Sequence, residues 1–148
     1  MKNTIEASRS HGFFLSTPKE ALLFLLIICL VLPLFTACGK TRNDGFSDRG
    51  FELACAVYEA TNAYIDHKIS ADEAIKRIEN ASNELQRICD PIRAENGGAM
   101  TGTSVWRDGT AETKAALINH AIIMHNYGTE PMSKIEKLRD ELKDQLWK

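Results

Sequence analysis

The segment Ser70–Pro91, SADEAIKRIENASNELQRICDP, decides the fold class of this chain. It opens on Ser70-Ala71-Asp72-Glu73, a capping box: the Ser70 hydroxyl can accept from the amide three residues on, and Glu73 can reach back. Asp72 and Glu73 also place negative charge in the first turn, where the helix dipole favours it. Apolar or small residues then return at Ala74, Ile78, Ala81, Leu85 and Ile88. Those steps of three and four draw one stripe along a helix. Asp90-Pro91 closes the pattern, because a residue before proline is pushed away from the helical region; a kink or stop is predicted there.

Helical signals continue on both sides. Upstream, from Ser47 to Ile69, a stripe runs through Phe51, Ala54, Tyr58, Thr61, Ile65 and Ile69. This helix and the next are expected to form an antiparallel hairpin around Ile69-Ser70. Downstream, Glu95 to Gly109 is glycine-rich and without period, and reads as a loop of about 12–14 residues; loops that long are functional or mobile. Thr110 is placed to cap a third helix, Ala111–Asn126, with Ala115, Ile118, Ala121, Ile122 and His125 on one side and Gly128 as terminator. Thr129 is placed to cap a fourth, with Glu130 and Pro131 in its first turn. Its stripe is Ile135, Leu138, Leu142 and Leu146, and Glu136 to Lys143 supply a charged solvent side. No alternating β pattern and no internal repeat occur. The expected fold is all-α: a small up-and-down bundle of three or four helices over residues 47–148, with a modest core.

The chain has 148 residues, 44% of them hydrophobic and 26% charged, which excludes low-complexity and collagen-like classes. A net charge of -2 offers no basic excess for nucleic acid. Hydrophobicity is concentrated in Ala21–Leu34, ALLFLLIICLVLPL, which has no charged residue and follows Lys2, Arg9 and Lys19. A basic start before such a run is the pattern of a secretory signal peptide. The run is short of the roughly 20 apolar residues that a spanning helix needs. Pro33 favours an end near the membrane surface.

After that run, Leu34-Phe35-Thr36-Ala37-Cys38-Gly39 resembles the lipobox of bacterial lipoproteins, with Phe35 standing where the family prefers Leu. The resemblance covers the first 39 residues. It implies cleavage between Ala37 and Cys38, a diacylglyceryl group on the Cys38 thiol, and acylation of the new amino group. The chain then divides into a cleaved signal peptide (1–37), a lipidated cysteine with a short polar tether (38–46) and the helical domain (47–148). One acyl chain binds a bilayer only marginally, whereas two or three hold permanently. The tether Lys40–Gly45 extends at most about 20 Å, which keeps the domain near the headgroups. Gly39 lacks the aspartate associated with inner-membrane retention in that family, so outer-membrane sorting stays open. An uncleaved anchor is the alternative, since only Pro33 and Thr36 interrupt Ala21–Cys38.

Cys55 and Cys89 are an even pair in an exported domain, which invites a disulfide. Counted from Ser70, they miss being level by roughly 6–8 Å, against a need for Cα atoms within about 7 Å. Two core thiols are the competing reading. His120 and His125 are five residues apart and diverge on a helix; with His67 unconstrained, no metal site or cofactor is expected. Glu52, Glu59, Asp66, Glu73 and Glu84 alternate with Lys and Arg, as on a solvated face. No phosphate-binding glycine motif and no nucleophile elbow is present. Trp106 is the candidate partner contact, an aromatic anchor in the loop or a lid folded over the core. Trp147 either closes the bundle or rests in a membrane interface. The resulting expectation is a lipid-anchored extracytoplasmic bacterial lipoprotein, a non-enzymatic module that meets another envelope protein. A small envelope hydrolase using the 97–109 loop and an uncleaved membrane-anchored accessory subunit are the alternatives.

Overall fold

A computed structural model describes residues 41–148. The expected signal peptide at 1–37, the expected cleavage point Ala37-Cys38 and the expected lipidation site Cys38 lie outside the described residues. Four helices follow one another: α1 Asp48–Ile65, α2 Ala71–Glu95, α3 Trp106–Asn126 and α4 Met132–Leu146. No strand occurs among the described residues; one isolated antiparallel bridge joins Arg42 to Trp147. The fold is all-α, as the periodicity predicts.

Cross-helix pairs give the directions. Ser47 at the start of α1 bonds Asp108 at the start of α3, and Tyr64 near the end of α1 stacks edge-on with His125 near the end of α3. Those two helices therefore run parallel. Arg93 at the end of α2 pairs with Glu112 near the start of α3, so α2 runs the other way. Asn43, just before α1, bonds carbonyls at the end of α4, which makes α4 antiparallel to α1. Each helix packs on its neighbours, α1 and α4 close the ring, and α1 also touches α3 across it, while α2 and α4 do not meet. Small side chains allow that diagonal approach: Ala54, Ala60, Ala111, Ala115 and Ala121 are all buried. Ile78, Leu85, Ile118, Ile122, Ile135, Leu142 and Leu146 fill the remaining space.

The predicted stripes need several corrections. On α1 the buried face is Gly50, Leu53, Ala54, Val57, Ala60, Thr61 and Tyr64. Phe51, Tyr58 and Ile65 flank the core half-buried. This helix is apolar around more than half its girth because it faces three partners, so one stripe could not describe it. On α2 the cap forms, with the Glu73 amide donating to Ser70 Oγ at 3.2 Å. The Glu73 carboxylate, however, is engaged forward by Arg77 Nε at 2.8 Å. Cys89 takes the buried place expected for Ile88.

Pro91 does not stop α2, which runs on to Glu95. Proline removes the amide that would bond the Arg87 carbonyl, but both residues are exposed and water can serve that carbonyl. Arg93 then holds the last turn through Asp90 and Glu112. The following loop is shorter than expected, because α3 begins at Trp106 and not after Thr110. Thr129 likewise serves the preceding helix: its hydroxyl donates to the Met124 carbonyl at 2.8 Å. The residue before α4 is Pro131, in extended conformation. Gly128 does terminate α3, at φ 74°. No described helix is long and apolar enough to cross a membrane.

Candidate functional site

One end of the bundle gathers residues 41–47, the start of α3 and the end of α4. The polar tether expected at 38–46 is, from Thr41 onward, part of the folded body. Backbone bonds pair the Asn43 amide with the Leu146 carbonyl and the Lys148 amide with the Thr41 carbonyl, each at 2.9 Å. Asn43 is buried, and its Nδ2 donates to the carbonyls of Asp144 and Gln145. Those carbonyls belong to the last turn of α4, where no intrahelical amide remains to bond them. Asn43 is thus a cap supplied from a hundred residues away.

The same segment is fixed to α3. The Arg107 amide donates to the Gly45 carbonyl at 2.8 Å, and Arg107 Nε to the Asp44 carbonyl at 2.7 Å. Gly45 has φ 92° and lies against the Trp106 indole, where an added Cβ would sit 2.8 Å from Nε1. Asp108 completes the arrangement. Its carboxylate accepts from the Ser47 amide at 3.1 Å and from Ser47 Oγ at 2.6 Å, while Ser47 Oγ accepts from the Gly50 amide at 2.9 Å. This relay caps α1 and ties its start to the first turn of α3. Burial pushes the Asp108 carboxyl above its ordinary value, against the pull of the two Ser47 hydrogen bonds and the nearby Arg42 charge.

Trp106 is the first residue of α3, not a loop residue. The residue is 38% exposed, and its ring rests on Gly45 and carries the Arg107 guanidinium 4.5 Å from its centroid. Trp147 closes the bundle, edge-on to Tyr58 and Phe51 with centroids 5.2 and 6.4 Å away. Between Arg93, Met100, Trp106, Gly109 and Thr113 lies an open groove of about 220 Å³. Sequence reasoning missed Asn43 and Asp108. The signals were there: Asn43-Asp44-Gly45 is a turn triplet, and Ser47 precedes a periodic run as an N-cap should.

The other candidates fall elsewhere. Cys55 and Cys89 are free thiols. Cys55 lies near Glu59 and Arg42, whereas Cys89 is buried near Glu112, Arg93 and Asp108, so the two face different neighbours. Counting along the helices compared their heights and left out their directions around the axes. Burial raises the Cys55 thiol to about 11 and the Cys89 thiol to about 12. His67 occupies the turn after α1, His120 is exposed on α3, and His125 bonds the Glu130 carbonyl at 2.7 Å. No group of side chains suited to a metal ion occurs among the described residues. Arg49 pairs with Glu52 and Glu84, Lys68 with Asp66, and Arg77 with Glu73, the solvated face that the charge pattern predicts. Glu59 borders an open groove of about 360 Å³ between α1 and α2, beside Ala56, Arg77 and Asn80. In the stretch 97–109, whose last four residues belong to α3, Gly97, Gly98 and Gly102 face open space; the nearby carboxylates are Asp108, held by Ser47, and Glu112, held by Arg93.

No known protein family matches this chain, and neither the curated proteins nor the solved structures offer a similar one.

Proposed function

We propose that this protein is a lipid-anchored extracytoplasmic bacterial lipoprotein whose helical domain is a non-enzymatic module for another envelope protein. The observation that carries this reading is Leu34-Phe35-Thr36-Ala37-Cys38-Gly39, directly behind the charge-free run Ala21–Leu34. The start of the folded body supports it. Thr41, three residues after Cys38, is already bonded to Lys148, so a cut before Cys38 leaves the bundle whole. The non-enzymatic part is supported by the engagement of the reactive groups: the loop carboxylates are tied to Ser47 and Arg93, and both thiols are raised by burial.

Labelled fatty acid and intact mass test the reading together. The wild-type protein is expected to carry the label and to start at Cys38. Cys38→Ala is expected to lose the label and accumulate uncut. A variant that sits normally in the membrane without label would establish the uncleaved anchor instead, and an unlabelled wild type would overturn lipidation.

A further inference from the structure

We infer that the end of the bundle bearing Trp106 docks against the headgroup layer of a bilayer, with the Trp106 indole as the inserted group. This rests on the lipoprotein reading and adds to it an orientation. Because residues 41–46 are bound to α3 and α4, only Gly39 and Lys40 separate an anchored Cys38 from Thr41. Three residue steps span at most about 10–11 Å, half the reach of a free tether. The starts of α1 and α3 and the end of α4 share the end of the bundle where Thr41 lies. The turns at 66–70 and 127–131 lie at the far end, about 27 Å away along α1.

That near end carries an exposed tryptophan. Trp106 is pinned by Gly45 on one side and stacked by Arg107 on another, so ordering it at an interface costs little further side-chain entropy. Tryptophan favours the headgroup level, where its apolar ring and its N–H donor are both satisfied. The cations nearest the entering chain are matched: Arg42 pairs with Asp48 and Lys148 with Asp44. Balanced charge gives anionic lipid no special attraction. The matching surface is therefore a zwitterionic headgroup layer, and the contact should survive high salt.

The test supplies the anchor artificially. The chain from Cys38 onward is coupled through Cys38 to a maleimide lipid in phosphatidylcholine vesicles; Cys55 and Cys89, raised by burial, react far more slowly. Tryptophan emission is compared between wild type and W106F, with and without lipids brominated near the headgroup. The expected result is a blue shift and quenching in wild type, unchanged in high salt, with that component missing from W106F at equal helicity. Emission that neither shifts nor quenches on coupling overturns the docking, as does an equal response in W106F. Acylation of Cys38 in cells is measured separately by mass. An acylated Cys38 with an unquenched Trp106 sinks the docking alone, whereas a quenched Trp106 with an unacylated Cys38 sinks the lipoprotein reading.

Discussion

Asp108 and Gly50 depend on each other. A methyl group at position 50 would overlap the Asp108 carboxylate, so the helix carries glycine in its first turn at the cost of some backbone freedom. Helix propensity alone says that Gly50→Ala should gain about 1 kcal/mol. The overlap reverses the sign, and a loss of about 1–3 kcal/mol is expected on urea unfolding. The carboxylate itself titrates against the fold. Its value is raised in the folded state, so its contribution is fully present below the ordinary value of 3.8 and is lost as pH rises through the folded value. Asp44, Asp66, Glu73 and Glu141, lowered mainly by hydrogen bonds from Lys148, Lys68, Arg77 and Lys114, act oppositely: their contribution is lost as pH falls. Asp108→Asn keeps an acceptor for the Ser47 amide and removes the charge. Its stability relative to wild type should therefore rise between the acid range and pH 7, as denaturation at several pH values would show; a constant difference would disprove the assignment.

Among the elements, α4 is the one finished from outside. Its final carbonyls are bonded by Asn43 Nδ2 and by the Asn43 amide. Asn43→Ala leaves two carbonyls and a side-chain pocket unfilled, with an expected cost of about 1–3 kcal/mol. Hydrogen exchange should locate the loss in residues 41–46 and the last turn of α4, with the far turn at 127–131 unaffected. Unchanged exchange in residues 41–46 and the last turn of α4 would contradict this role. The helix ends also show what local signals can and cannot say. Ser70 and Gly128 act as their types predict, because each satisfies its own helix with neighbours in the chain. Pro91 and Thr129 depart from prediction because an ion pair to α3 and a carbonyl at Met124 outweigh the local preference.

For the molecule as a whole, a single core shared by all four helices implies cooperative unfolding. Cys89 reports on it, being fully buried with its thiol raised to about 12. A thiol reagent should modify Cys89 only at the rate of global opening, and reduction should leave the mass of the domain unchanged. Fast labelling of Cys89 under native conditions would mean that the end of α2 opens by itself.

The all-α class and most of the buried faces of α2, α3 and α4 follow from periodicity, since each of those helices hides one stripe and the 3.6-residue repeat is a property of the chain alone; the count, left at three or four, is settled at four by the structure. The proposed address rests on the same kind of local pattern, a charged start, an apolar run and Cys38. Which face α1 buries, where α3 begins, whether the thiols meet and what becomes of residues 41–46 depended on contacts between separate elements, such as Ser47 with Asp108 and Asn43 with Gln145. Such contacts leave no period in the sequence. They form only when the bundle closes and brings Asp108 to Ser47 and the end of α4 to Asn43.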